Sequence, residues 1–183
     1  MTDAARRCFE PVSRERWAEH PRFPGQALLL GSHENFRRLS RALVAASPRS
    51  GGRGLGELAG TSLDMRRNLF DRWQWAMRSH EHYEENKLYP FLRHRFGVQT
   101  AELEAGHRAL HAIEHDLRGA VDDRDEVSWA ISMARYDVVL HEHLRDEEDL
   151  VIPCLLALEP REFSAYYNGS VSRLLLETPA CRC

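Results

Sequence analysis

The residues best suited to chemistry fall in a segment that the chain spells twice. One copy begins His80-Glu81-His82-Tyr83-Glu84-Glu85 and runs to Pro90, the other begins His143-Leu144-Arg145-Asp146-Glu147-Glu148 and runs to Pro153. Each reads His, three residues, two acidic residues, then an apolar stretch with Pro ten positions after the His, and the copies lie 63 residues apart. On an α-helix, residues four apart are separated by about 40° around the axis, so each His and its first Glu project from one side. An imidazole and a carboxylate presented together, twice, beside apolar residues form a donor set that a helical bundle can use to hold a metal pair.

Single histidines on apolar stripes are ordinarily core residues satisfied by a carbonyl, and a Glu-Glu pair is ordinarily a solvated helix face. Coincidence of position argues otherwise. Of ten histidines, seven fall in the three segments 80–82, 107–115 and 141–143. The apolar stripe of each expected helix carries a histidine: His33 between Leu29 and Phe36, His80 after Trp73 and Met77, His107 and His111 around Leu110, and His143 after Tyr136, Val139 and Leu140. Glu84 and Glu147 follow one turn after His80 and His143. Burying such groups without compensation costs several kcal/mol per charge, and a bound cation removes that penalty. With no thiolate in the set, imidazole plus carboxylate suits iron or manganese, with zinc as a further option. The excess of His over Glu suggests a nitrogen-rich binuclear site, unlike ferritin-type centres, which use more Glu.

Four amphipathic helices position these residues. Their apolar periodicity places them over about 26–46, 61–95, 100–120 and 126–157, with Thr61 as a plausible N-cap and Pro90 marking a kink or change of direction. Short links join the last three, and no stretch alternates with period two, so the fold class is all-α, an up-down-up-down four-helix bundle. The glycine-rich stretch 50–56 lacks a Gly-Lys-Ser/Thr ending and a preceding strand, and reads as a linker rather than a phosphate loop. Domain boundaries follow: an N-terminal arm over 1–25 anchored by Phe9, Trp17 and Phe23, the bundle over 26–157, and a C-terminal segment over 158–183 with a short fifth helix packing on the bundle.

Composition narrows the function classes. A hydrophobic share of 43% and a charged share of 29% fit a globular protein, and a net charge of −3 gives no general attraction to nucleic acid or anionic membrane. The run Ala27–Leu30 is too short for a membrane span or a signal sequence, so the expected location is cytoplasmic. Cys8, Cys154, Cys181 and Cys183 form no disulfide framework; Cys154 is expected to be a buried thiol.

The motifs together resemble those of a hemerythrin-like protein of the HHE cation-binding family. The residues that carry the resemblance are Leu30-Gly31-Ser32-His33-Glu34-Asn35-Phe36, the two His-x-x-x-Glu-Glu repeats with their prolines, and Gly106-His107-Arg108-Ala109-Leu110-His111. Membership implies a four-helix bundle with two non-haem iron ions (Fe2+/Fe3+) joined by two carboxylates and an oxo or hydroxo group. Carried over position by position, it implies His33 and His80 on one iron, His107, His111 and His143 on the other, and Glu84 and Glu147 bridging. Alternatives stay open: Glu148 in place of Glu147, Glu81 as an added carboxylate, and His115 in place of a neighbour one turn earlier. His82, His94 and His141 project elsewhere. The expected ligands are O2, NO or peroxide, for a carrier, sensor or scavenger. An enzyme on the same site would be a di-iron oxidoreductase, either decomposing peroxide or oxygenating a small organic substrate, and a third reading is iron handling without redox turnover.

Overall fold

A computed structural model describes residues 9–47, 62–169 and 171–177. Among them there is no strand, and the helices are α1 (Ala27–Ala46), α2 (Leu63–Tyr83), α3 (Tyr89–Phe96), α4 (Ala101–Asp122), α5 (Glu126–Leu156), α6 (Pro160–Tyr167) and α7 (Val171–Glu177). Short 3-10 turns at Arg14–Glu19 and Phe23–Gln26 precede them. The fold is the all-α bundle class that the periodicity predicts. No helix among the described residues is long and apolar enough to cross a membrane. The predicted N-cap Thr61, the 50–56 linker and three cysteines (Cys8, Cys181, Cys183) lie outside the described residues. Ser62 supplies the capping oxygen at the start of α2, its Oγ accepting the Met65 N–H at 3.2 Å.

The chain divides into two compact units. One comprises Gly31–His80 and Ala105–Arg145. Its core takes a stripe from each of four helical stretches: Phe36 and Leu43 from α1, Phe70, Trp73 and Met77 from α2, Leu110, Ile113 and Leu117 from α4, and Trp129, Met133, Tyr136 and Leu140 from α5. Spacings of three, four and seven residues bring these side chains to one face of each helix, which is why the four stretches share one core. The turn between α4 and α5 is closed by Arg124 in the left-handed region (φ 54°) and by Asp125, whose Oδ1 accepts the N–H groups of Val127 and Ser128 at 3.0 Å. Arg66 is 2% exposed; it donates to the Ala46 carbonyl at 2.9 Å and to Glu126 Oε2 at 2.9 Å. Arg66→Ala leaves that buried carbonyl without its donor, which costs about 1–3 kcal/mol. Circular dichroism should show the thermal midpoint falling by several degrees, and an unchanged midpoint would refute the assigned role.

The other unit comprises Met1–Leu30, Glu81–Glu104 and Asp146–Cys183. Its core gathers Leu88, Tyr89, Phe91, Leu92 and Phe96 with Val151, Ile152, Leu155 and Leu158, and adds Trp17, Val171 and Leu174. Phe9 meets Phe96 edge-on at 4.9 Å, and Phe23 packs against the same cluster. Cys154 is a buried free thiol. Where a single fifth helix was expected there are two, α6 and α7, separated at Gly169 with φ 75°.

Between α2 and α3 the backbone departs from α-helical geometry just ahead of Pro90. It passes through one π-helical turn, Glu84–Leu88, in which the Tyr89 N–H bonds to the Glu84 carbonyl. Proline has no N–H and its ring crowds the carbonyl four residues back, so an added residue in the turn relieves the clash while the helix stays continuous. The added residue also changes which side chains point inward, and Leu88 and Tyr89, adjacent in sequence, are both fully buried.

Candidate metal centre

The histidine-bearing unit supplies one imidazole from each long helix. His33 on α1 is 0% exposed and His80 on α2 is half-buried, with the two Nε2 atoms 3.1 Å apart. A separation that short fits either a ring-to-ring hydrogen bond or a shared cation. His107 on α4 and His143 on α5 are both buried, their ring centroids 4.5 Å apart at 65°. The approach depends on Gly106: a Cβ at that position would lie 2.4 Å from His143 Nδ1. Burial, followed by the neighbouring His107, His33 and His80, pushes the His143 pKa down to about 3. The ring is therefore held neutral, its lone pair available to a cation. Phe36 contacts the His80 ring edge-on at 5.3 Å.

The carboxylate-bearing unit supplies Glu84, the first residue of the π turn, and Glu147 on α5, both 0% exposed. Tyr89 is also fully buried, and its phenol is held protonated far above its ordinary range by burial and then by the charges of Glu147 and Glu84. Tyr166 on α6 is shifted upward in the same direction, chiefly by burial.

One donor atom from each of His33, His80, Glu84 and Glu147 lies within 4.8 Å of the others, the spacing of ligands around an ion. Two imidazoles and two carboxylates fit a first-row transition metal, and their burial gives a cation the charge it would neutralise. Of the other predicted residues, His107 and His143 form the separate pair just described. His111 is half-buried and His115 is exposed. Glu81 is 3% exposed and lies outside the group of four. Glu148, 2% exposed, is ion-paired with Arg14 Nη1 at 3.1 Å. The same guanidinium reaches Asp149 at 2.8 Å and stacks over Trp17. His82 is exposed, whereas His94 and His141 are half-buried, and none of the three joins the group.

Two contributors are not evident from ligand spacing. Gly106 carries only an indirect signal: a glycine inside a helix costs about 1 kcal/mol against alanine and so points to a packing need. Tyr89 lies off the inner stripe when positions are counted in steps of three and four.

Fold and site together define a helical metal-binding domain with histidine and glutamate donors. The chain belongs to the hemerythrin family, its residues 25–155 matching the model of the hemerythrin HHE cation binding domain. No match was found among curated proteins or among solved structures.

Proposed function

We propose that the protein is a non-haem di-iron protein that binds or reacts with O2, NO or peroxide. The observation carrying this reading is the group His33, His80, Glu84 and Glu147, with one donor atom of each inside 4.8 Å. His33 and His80 would hold one ion and His107, His111 and His143 the other, with Glu84 and Glu147 shared between them. Iron, when bound, supplies a redox-active Lewis acid for a small oxygen ligand.

The chain's own residues do the rest. The buried His143 imidazole stays neutral and so acts as a donor rather than a cation. Phe36, Trp73, Met77 and Leu140, all buried, supply apolar surface in the histidine-bearing unit. The buried Tyr89 phenol keeps its proton close to the charges of Glu147 and Glu84, where it can donate to an anionic oxygen. A carrier, sensor or scavenger needs no more than this. An oxygenase would also need a place for an organic substrate, and a cleft at His80 favours that second reading.

The test is to reduce the iron-loaded chain anaerobically, add O2 or H2O2, and follow the visible spectrum. A colour that forms with O2 and disappears on degassing indicates a carrier. Gas release from H2O2 with return to the starting spectrum indicates peroxide decomposition. If metal analysis of the native protein finds zinc in place of iron, the reading is overturned.

A further inference from the structure

Of the four clustered residues, three are 0% exposed and His80 alone is half-buried. The reason is a cleft of about 770 Å³ between α1 and α2, within the range of small-molecule sites, that His80 helps to line. Its walls come from matching stripes on the two helices: Phe36 and Leu39 on α1 and Leu69 on α2 give the apolar surface, and Arg38 and Arg72 stand among them. Among the described residues no Asp or Glu lines the cleft. Both arginines are exposed, and neither is ion-paired with a described carboxylate. Arginines nearby on the same helix are engaged: Arg67 with Asp71 at 3.4 Å and Arg78 with Glu114 at 2.5 Å. Two guanidiniums without an ion-pair partner among the described residues, beside an apolar trough, match a molecule with an anionic head and an apolar body, because guanidinium binds carboxylate in a planar, two-pronged fashion.

We propose that this cleft binds a small amphipathic monocarboxylate, its carboxylate held by Arg38 and Arg72 and its apolar body lying along Phe36, Leu39 and Leu69 toward His80. Seated so, the ligand presents its hydrocarbon end, rather than its charge, to the histidine. The binding site itself is independent of the di-iron reading; only its closeness to a metal rests on that reading. The organic co-substrate of the second functional reading would thus be an apolar acid.

Isothermal titration of octanoate into the full chain tests this, with octanol as the uncharged probe of equal length. Saturable one-to-one binding of octanoate is expected, at least tenfold tighter than octanol and weakening as salt is raised. The double variant Arg38→Gln/Arg72→Gln, which changes exposed side chains only, should bind octanoate at least tenfold more weakly. Equal binding of the two probes, or octanoate binding unchanged in the double variant, overturns the proposal. Running the titration on metal-free and iron-loaded protein separates the two ideas. Octanoate binding by a chain that takes up no iron sinks the di-iron reading alone, whereas a chain that takes up iron and ignores octanoate sinks this one alone.

Discussion

A chain carrying Glu147→Ala is expected to take up less than a tenth of the iron that the unaltered chain takes up under the same conditions. Glu147 is fully buried and is one of the four residues whose donor atoms meet within 4.8 Å. Its loss removes one of the two carboxylates in that group. Changes to residues that merely support ligands cost roughly 10–100-fold in metal affinity, so removal of a ligand sets at least that scale. The effect should also be visible without any assay of activity. Metal present at about a hundred times its dissociation constant stabilises the fold by about 2.7 kcal/mol, which for a chain of this size raises the thermal midpoint by roughly 5–11 °C. Adding a chelator should therefore lower the midpoint of the unaltered protein and leave that of Glu147→Ala unmoved. Glu148→Ala is the control: Glu148 is already committed to Arg14, so the variant should keep its iron. If Glu148→Ala loses the metal while Glu147→Ala keeps it, the two glutamates exchange roles.

The second large effect is expected at Gly106. Replacing a helical glycine by alanine ordinarily stabilises a protein by about 1 kcal/mol, because alanine loses less backbone freedom on folding. Here the new methyl would sit 2.4 Å from His143 Nδ1, an atom in the body of a buried ring rather than at the end of a flexible chain. The ring must move, or the helices must part. Overpacking of this kind costs about 1–3 kcal/mol and outweighs the helix gain. Gly106→Ala should therefore lower the thermal midpoint and, by displacing His143, reduce the amount of iron bound. Gly119→Ala, at an exposed site in the same helix where an added Cβ meets nothing, should do neither. Equal behaviour of the two variants would show that the close approach to His143 is unimportant.

Much of the fold and part of the candidate centre were legible in the sequence, for a definite reason. Helical spacing puts His80 with Glu84 and His143 with Glu147 on common faces, and apolar neighbours at three and four residues say that those faces point inward. The same rule shows where reading by steps of four stops working. Each such step advances about 40° around the helix, so a series of histidines drifts off the buried face. His107 is 1% exposed, His111 half-buried and His115 exposed, which is that drift made visible. Counting could not separate Glu147 from Glu148, because both are buried. What distinguishes them is Arg14, 134 residues distant in the chain, and no local pattern announces a partner so remote. Tyr89 escapes such counting because steps of three and four assume α-helical geometry, whereas the turn ahead of Pro90 holds an extra residue.

That turn changes what its residues contribute. Glu85, Asn86 and Lys87 are all exposed, and their side chains lie away from both cores. Their number sets the rotation at which everything downstream enters the core. The π turn acts as an angular spacer of fixed length, setting the phase at which Tyr89, Leu92 and Phe96 enter their shared core. In this stretch a count matters more than a chemistry, so an insertion or deletion should cost more stability than a substitution at an exposed position.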